Sequence, residues 1–163
     1  MFYAISGING DYEAYKRALK KLKFQNLDDI KEEDIMNEEA VISTLEGEDV
    51  LYVLGNIIGA GGGSMKILQD MMSRDNVIAV VGENEYKITQ ALKALNDHIQ
   101  STGEVPPQML VDKITSMLGE ELSGAVEEFL QLDDEEREDV IEYIDEISDE
   151  AFLEVMMARK NSV

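Results

Sequence analysis

The chain has no cysteine and no tryptophan, one histidine (His98), and two prolines that sit side by side at 106 and 107. Without cysteine there can be no disulfide, no thiolate metal site and no cysteine nucleophile, a composition that fits a reducing compartment. A single histidine excludes a metal centre built mainly from imidazole, because ligation needs several convergent donors. Basic residues are also scarce: 14 lysines and arginines stand against 35 aspartates and glutamates, a net charge of −21. Such a chain is repelled by nucleic acid and by anionic membrane surfaces, so neither is expected as a direct partner. No apolar run reaches membrane-spanning length, and Met1 is followed by Phe-Tyr-Ala-Ile-Ser with no basic leader. The expectation is a cytoplasmic protein.

What is present is the material of one globular domain: 163 residues, 44% apolar and 30% charged. Residues 2–5 read as a short apolar strand. Asp11 is placed to cap a helix over about 12–23, with Tyr12, Tyr15, Ala18, Leu19 and Leu22 at helical spacing. That helix carries Lys16, Arg17, Lys20, Lys21 and Lys23, the one dense basic patch. Residues 25–48 are acidic, with helical periodicity at Ile30, Ile35, Val41, Ile42 and Leu45. Val50–Leu54 and Val77–Val81 are apolar runs of strand length, separated by a helix over 64–73. The alternation predicts β-α-β-α-β with parallel strands. Beyond Tyr86 the pattern is helical: 86–100, then stripes at Leu110/Ile114/Met117/Leu118, Val126/Phe129/Leu130, Val140/Ile141/Ile144/Ile147 and Phe152/Val155/Met156. Residues 120–154 hold 16 acidic side chains and one basic one, Arg137. The expected fold is therefore α/β: a parallel sheet over 1–85 with an acidic insertion near 25–48, and a helical half over 86–163, within one domain.

Each strand runs into a glycine-marked turn: Ser6-Gly7-Ile8-Asn9-Gly10, Gly55-Asn56-Ile57-Ile58-Gly59-Ala60-Gly61, and Gly82-Glu83-Asn84-Glu85. Ligands of open α/β sheets bind at these carboxyl ends. In order and spacing, with Val50-Leu-Tyr-Val-Leu-Gly55 and Ile67-Leu-Gln-Asp-Met-Met-Ser-Arg74, the turns resemble the metal-binding framework of calcineurin-like metallophosphoesterases of the bacterial serine/threonine protein phosphatase type. There the turns read Asp-x-His, Gly-Asp-x-x-Asp-Arg and Gly-Asn-His-Glu, and two cations about 3.5–4 Å apart clamp the phosphate. The resemblance covers roughly residues 1–90 and implies a degenerate site. Gly7 and Asn9 stand at the positions of the first aspartate and histidine, and Asn56 at the bridging aspartate. Gly59 and Ala60 replace the Asp-Arg pair, while Glu83 and Asn84 replace the ligand asparagine and the acid histidine. Only Glu85 matches. The family's site is completed by two further histidine-bearing strands, and the chain reaches Val163 without them.

Other residues carry weaker signals. Asn9, Asn56 and Glu83, with Glu85, are the set from which one hard cation could be held loosely. Gly59-Ala60-Gly61-Gly62-Gly63-Ser64 precedes a helix, yet Ser64-Met65-Lys66 lacks the Gly-Lys-Ser/Thr ending of a phosphate-binding loop, and Ser64 is read as a helix cap. His98 reads as an ordinary helix residue, and the acidic helices as solvated faces.

These strands are apolar at nearly every position, so both sheet faces want cover. Helices 12–23 and 64–73 supply one. The other would fall to the C-terminal helices, a second copy, or a different protein. The expectation is a pseudo-phosphatase: a non-catalytic domain acting through protein–protein contacts or self-association on that face, with no cofactor, metal or catalytic residue. The alternatives are an acidic inhibitor or nucleic-acid mimic occupying a basic surface, and a weakly active metal-dependent phosphoesterase.

Overall fold

A computed structural model of the chain describes residues 1–22, 24 and 49–161, with 149–161 as backbone alone. The expected acidic helical stretch 25–48 lies outside the described residues, as do Lys23 and the side chains of Phe152, Val155 and Met156. Three strands and six helices make up the described chain: β1 Phe2–Ser6, α1 Tyr12–Lys21, β2 Val50–Leu54, α2 Ser64–Met72, β3 Val77–Val80, α3 Glu83–Thr102, α4 Gln108–Leu118, α5 Glu120–Leu130 and α6 Asp134–Asn161. All strand pairs are parallel, in the order β1-β2-β3. The β-α-β-α-β expectation holds for the strands and for the helices between them. Among the described residues no helix is long and apolar enough to cross a membrane.

Strand register assigns the two faces of the sheet. Tyr3 pairs with Leu51 and Leu51 with Val77, while Ile5 pairs with Val53 and Val53 with Ala79. Since partners in register share a face, these side chains form the inner one, and Leu51, Val53 and Val77 are buried there. The same core includes Tyr15 and Leu19 of α1, Ile67 and Leu68 of α2, Ile88 and Leu92 of α3, Phe129 of α5 and Ile144 of α6. The helical half is thus part of the sheet's own core, with α3 against α6, α2 against α5 and α6 against β3.

The opposite face carries Phe2, Ala4 and Ser6 of β1, Val50, Tyr52 and Leu54 of β2, and Ile78 and Val80 of β3. Here Phe2 is 75% exposed, and Leu54, Ile78 and Val80 are 41%, 39% and 40% exposed. Both faces were expected to be covered, and among the described residues only one is. Among the described residues, α3, α5 and α6 contribute their buried apolar side chains to the first face.

Local chemistry explains where the helices begin and end. The Asp11 side chain accepts from the Ala14 amide at 3.0 Å and starts α1 as expected. At α6, Asp133 accepts from the Glu136 amide at 2.8 Å, and Glu136 accepts from the Asp133 amide at 3.2 Å, a reciprocal cap. Two expectations are corrected. The residue before α2 that serves as its cap is Gly63, and Ser64 is the first helical residue. On α4 the buried residue is Val111, with Ile114 and Leu118 half-buried, whereas Met117 is 81% exposed. Met117 lies about 100° around the helix from Leu118, which turns it off the apolar stripe.

Candidate functional site

The three turns converge at the carboxyl ends of the strands. Asn9 and Asn56 both adopt the left-handed conformation, with φ of 47° and 48°, a region that asparagine tolerates better than most side chains. Turning there lets the first two loops run against each other. The Asn9 amide donates to the Asn56 carbonyl at 2.9 Å, the Gly10 amide to the Ile57 carbonyl at 2.7 Å, and the Gly61 amide to the Asn9 carbonyl at 2.9 Å. The approach is close enough to require glycine: a Cβ on Gly59 would lie 2.7 Å from the Asn9 backbone, and one on Gly82 would lie 2.4 Å from the Asn56 nitrogen.

Glu85 ties all of this to the third turn. It is fully buried. Its Oε1 accepts from the Ile58 amide at 2.7 Å, and its Oε2 accepts from the Asn56 amide at 3.0 Å and the Gly82 amide at 2.9 Å. Asn84 completes the clasp, its Nδ2 donating to the Ile58 carbonyl at 2.9 Å and its amide to Asn56 Oδ1 at 3.2 Å. The sequence pattern predicts Glu83-Asn84-Glu85 as a loop ahead of a helix over 86–100. In the structure these residues are the first turn of α3, which runs on to Thr102. Glutamate three residues after the capping position, reaching back to the Gly82 amide, is a readable helix-start signal.

The remaining site positions are placed as follows. Gly7 is exposed with φ of 74°, and Ala60 is exposed in the glycine-rich loop. Asn9 Nδ2 makes one long hydrogen bond, 3.5 Å to the Gly7 carbonyl. Glu83 is exposed and pairs with Lys87 at 2.8 Å, which holds its carboxyl below the usual range. Ser64 is buried and exchanges hydrogen bonds with Gly59, accepting from its amide and donating to its carbonyl, each at 3.2 Å. His98 lies half-buried in α3, remote in sequence from the turns.

The donor set does not fit a binuclear metal centre. Two divalent ions require several carboxylates or imidazoles. Of the weak set Asn9, Asn56 and Glu83, the Asn56 oxygen faces an amide donor and Glu83 turns to Lys87, while both Glu85 oxygens are engaged by backbone. Among the described residues no group of three or more His, Cys, Asp or Glu side chains is arranged to hold a metal ion.

Behind the turns, α1 and α2 are joined by a buried polar contact that the sequence did not advertise. The Tyr15 hydroxyl donates to Asp70 Oδ2 at 2.6 Å, and Arg74 Nε donates to the same oxygen at 2.8 Å. Burial, and then the Asp70 carboxylate, push the Tyr15 phenol well up. At the start of α2 the Met65 amide donates to Glu128 of α5 at 3.3 Å. Burial raises the Glu128 carboxyl above its ordinary value, against the smaller opposing effects of the Met65 amide and Lys66.

No protein-family model, no curated protein and no solved structure matches the chain.

Proposed function

We propose that the chain is a metallophosphoesterase-like pseudo-phosphatase: a domain without hydrolytic chemistry that acts by holding another protein on its open sheet face. One observation carries the non-catalytic part. At the turns where a binuclear centre would sit, the polar groups are spent on each other, with Glu85 accepting three backbone amides and Asn84 bonded to Ile58. A site that binds phosphate needs donors and cations aimed outward, and here the side chains are aimed inward.

Partner chemistry follows from the face itself. Phe2, Ala4, Val50, Tyr52, Leu54, Ile78 and Val80 offer no carboxylate and no amine, so the complementary surface is apolar and uncharged. Leaving such side chains in water forgoes about 1.5–3 kcal/mol for each one that a partner would bury. Two copies of this chain would each bring a charge of −21 to the complex, a mutual repulsion that favours a different, less acidic protein.

The test has two arms. Aryl phosphate hydrolysis with added Mn²⁺ should be absent; turnover that disappears in Asn56→Ala or Glu83→Ala would sink the non-catalytic reading. A protein co-purifying from the native cells should be lost on Ile78→Lys and kept at high salt. A complex that dissolves as salt rises, and is indifferent to Ile78→Lys, would instead favour an acidic inhibitor acting through the helices.

A further inference from the structure

The sequence contains one Asn-Gly pair, Asn9-Gly10, and it falls in the first turn. Asn-Gly is the most reactive setting for asparagine, because glycine puts no side chain in the way of its own amide nitrogen. In the reaction the Gly10 nitrogen loses its proton and bonds to Asn9 Cγ. The Cγ–Nδ2 bond breaks, and the amide leaves as ammonia, taking up that proton. Water then opens the cyclic imide at one of its two carbonyls, giving aspartate or the β-linked isoaspartate. Nothing is oxidised or reduced, and water is the one co-reactant.

We propose that Asn9 is a non-enzymatic modification site held shut by the three-turn clasp, so that its deamidation records opening of that clasp. Solvent does not limit the reaction: Asn9 is exposed, and its side chain is restrained by one hydrogen bond at 3.5 Å. The backbone limits it. Ring closure requires the Asn9–Gly10 peptide to swing about the Asn9 Cα–C bond. That peptide is pinned at both ends, its N–H donating to the Ile57 carbonyl at 2.7 Å and its C=O accepting from the Gly61 amide at 2.9 Å. The proton that must leave is the one donated to Ile57. The peptide is also packed closely, with the Asn9 carbonyl carbon so near Gly59 that an added Cβ there would be 2.7 Å away. Ile57 and Gly61 belong to the loop that Glu85 fastens through Asn56 and Ile58. The reactive state is therefore a local opening of this cluster.

Its product is one-way. An isoaspartate link routes the chain through the side-chain carbons and lengthens the turn, so the bonds to Ile57 and Gly61 lose their register and the cluster cannot reclose as before.

The experiment follows deamidation of the full chain at mildly alkaline pH by peptide mass mapping. The tryptic peptide Met1–Lys16 contains Asn9 and no other asparagine. The folded chain should react at least about tenfold more slowly than the same chain unfolded in urea, the protection that local opening equilibria confer. Glu85→Gln should react faster than the wild type while its helical circular dichroism is retained. Should that variant fail to fold, the wild type is followed through sub-denaturing urea, where the rate should climb before global unfolding begins. Equal rates in folded and unfolded chain, or a rate that rises only together with global unfolding, would overturn the proposal.

Discussion

At the scale of single residues, the most consequential side chain is Glu85, because one carboxylate satisfies three backbone donors from two different turns. Removing it leaves the amides of Asn56, Ile58 and Gly82 without their acceptor, and an unsatisfied buried donor costs about 1–3 kcal/mol. Glu85→Ala is expected to lower unfolding stability by about 3 kcal/mol or more, read as a shift in the urea midpoint. Two glycines should behave oppositely. Gly59→Ala drives a methyl into the Asn9 backbone and should destabilise the turn severely. Gly124 lies inside α5, exposed, with nothing within 4 Å of an added Cβ, so Gly124→Ala should gain up to about 1 kcal/mol from helix propensity. Thermal unfolding of the pair checks both signs in one measurement.

Among elements, the contact between α5 and α2 gives a pH-dependent term. Glu128 caps the Met65 amide through one oxygen while the other is buried with no hydrogen-bond partner, and its carboxyl is raised by burial. A folded-state value above the unfolded one means that protonation favours folding. That stability is fully present below the unfolded value of 4.5 and is lost as pH rises through the folded value. Glu128→Gln, which is neutral throughout, should melt higher than the wild type at neutral pH and show a flatter stability profile across the acidic range. Melting curves at stepped pH decide it; a variant whose profile overlays the wild type would show that burial does not raise this carboxyl. The elements also mark how far the sequence could be read. Strands β1 to β3 and helices α1, α2 and α5 were legible because apolar runs and helical stripes report local burial directly. The start of α3 was not. Gly82-Glu83-Asn84-Glu85 reads as a site motif, and the reach of Glu85 to Gly82 is a helix-start pattern that such a reading passes over. Nor did periodicity reveal the Tyr15–Asp70–Arg74 contact, since partners 55 residues apart leave no trace in local spacing.

For the whole molecule, charge dominates. A chain carrying −21 repels itself when compact, and salt screens that repulsion within about 8–10 Å at ordinary ionic strength. The melting temperature should rise as sodium chloride is added from low salt, measured by calorimetry; a fall would mean that ion pairs such as Lys93–Asp145 at 2.5 Å outweigh the general repulsion. The open sheet face also belongs to this scale. Strand composition announces that both faces want cover, but composition cannot say what supplies it, and among the described residues the helices pack on the inner face.

The neighbours in the sheet are also neighbours in sequence, and the residue that fastens their ends lies five positions after the last strand finishes. As the polypeptide leaves the ribosome, the three strands and their fastener are therefore all available while most of the helices remain to be made. Nascent chains that have just released α3 should then already hold the turns closed over a half-built core. During that interval the inner face of the sheet has only α1, α2 and α3 of its helical cover, which makes translation itself the period when this protein most needs a chaperone.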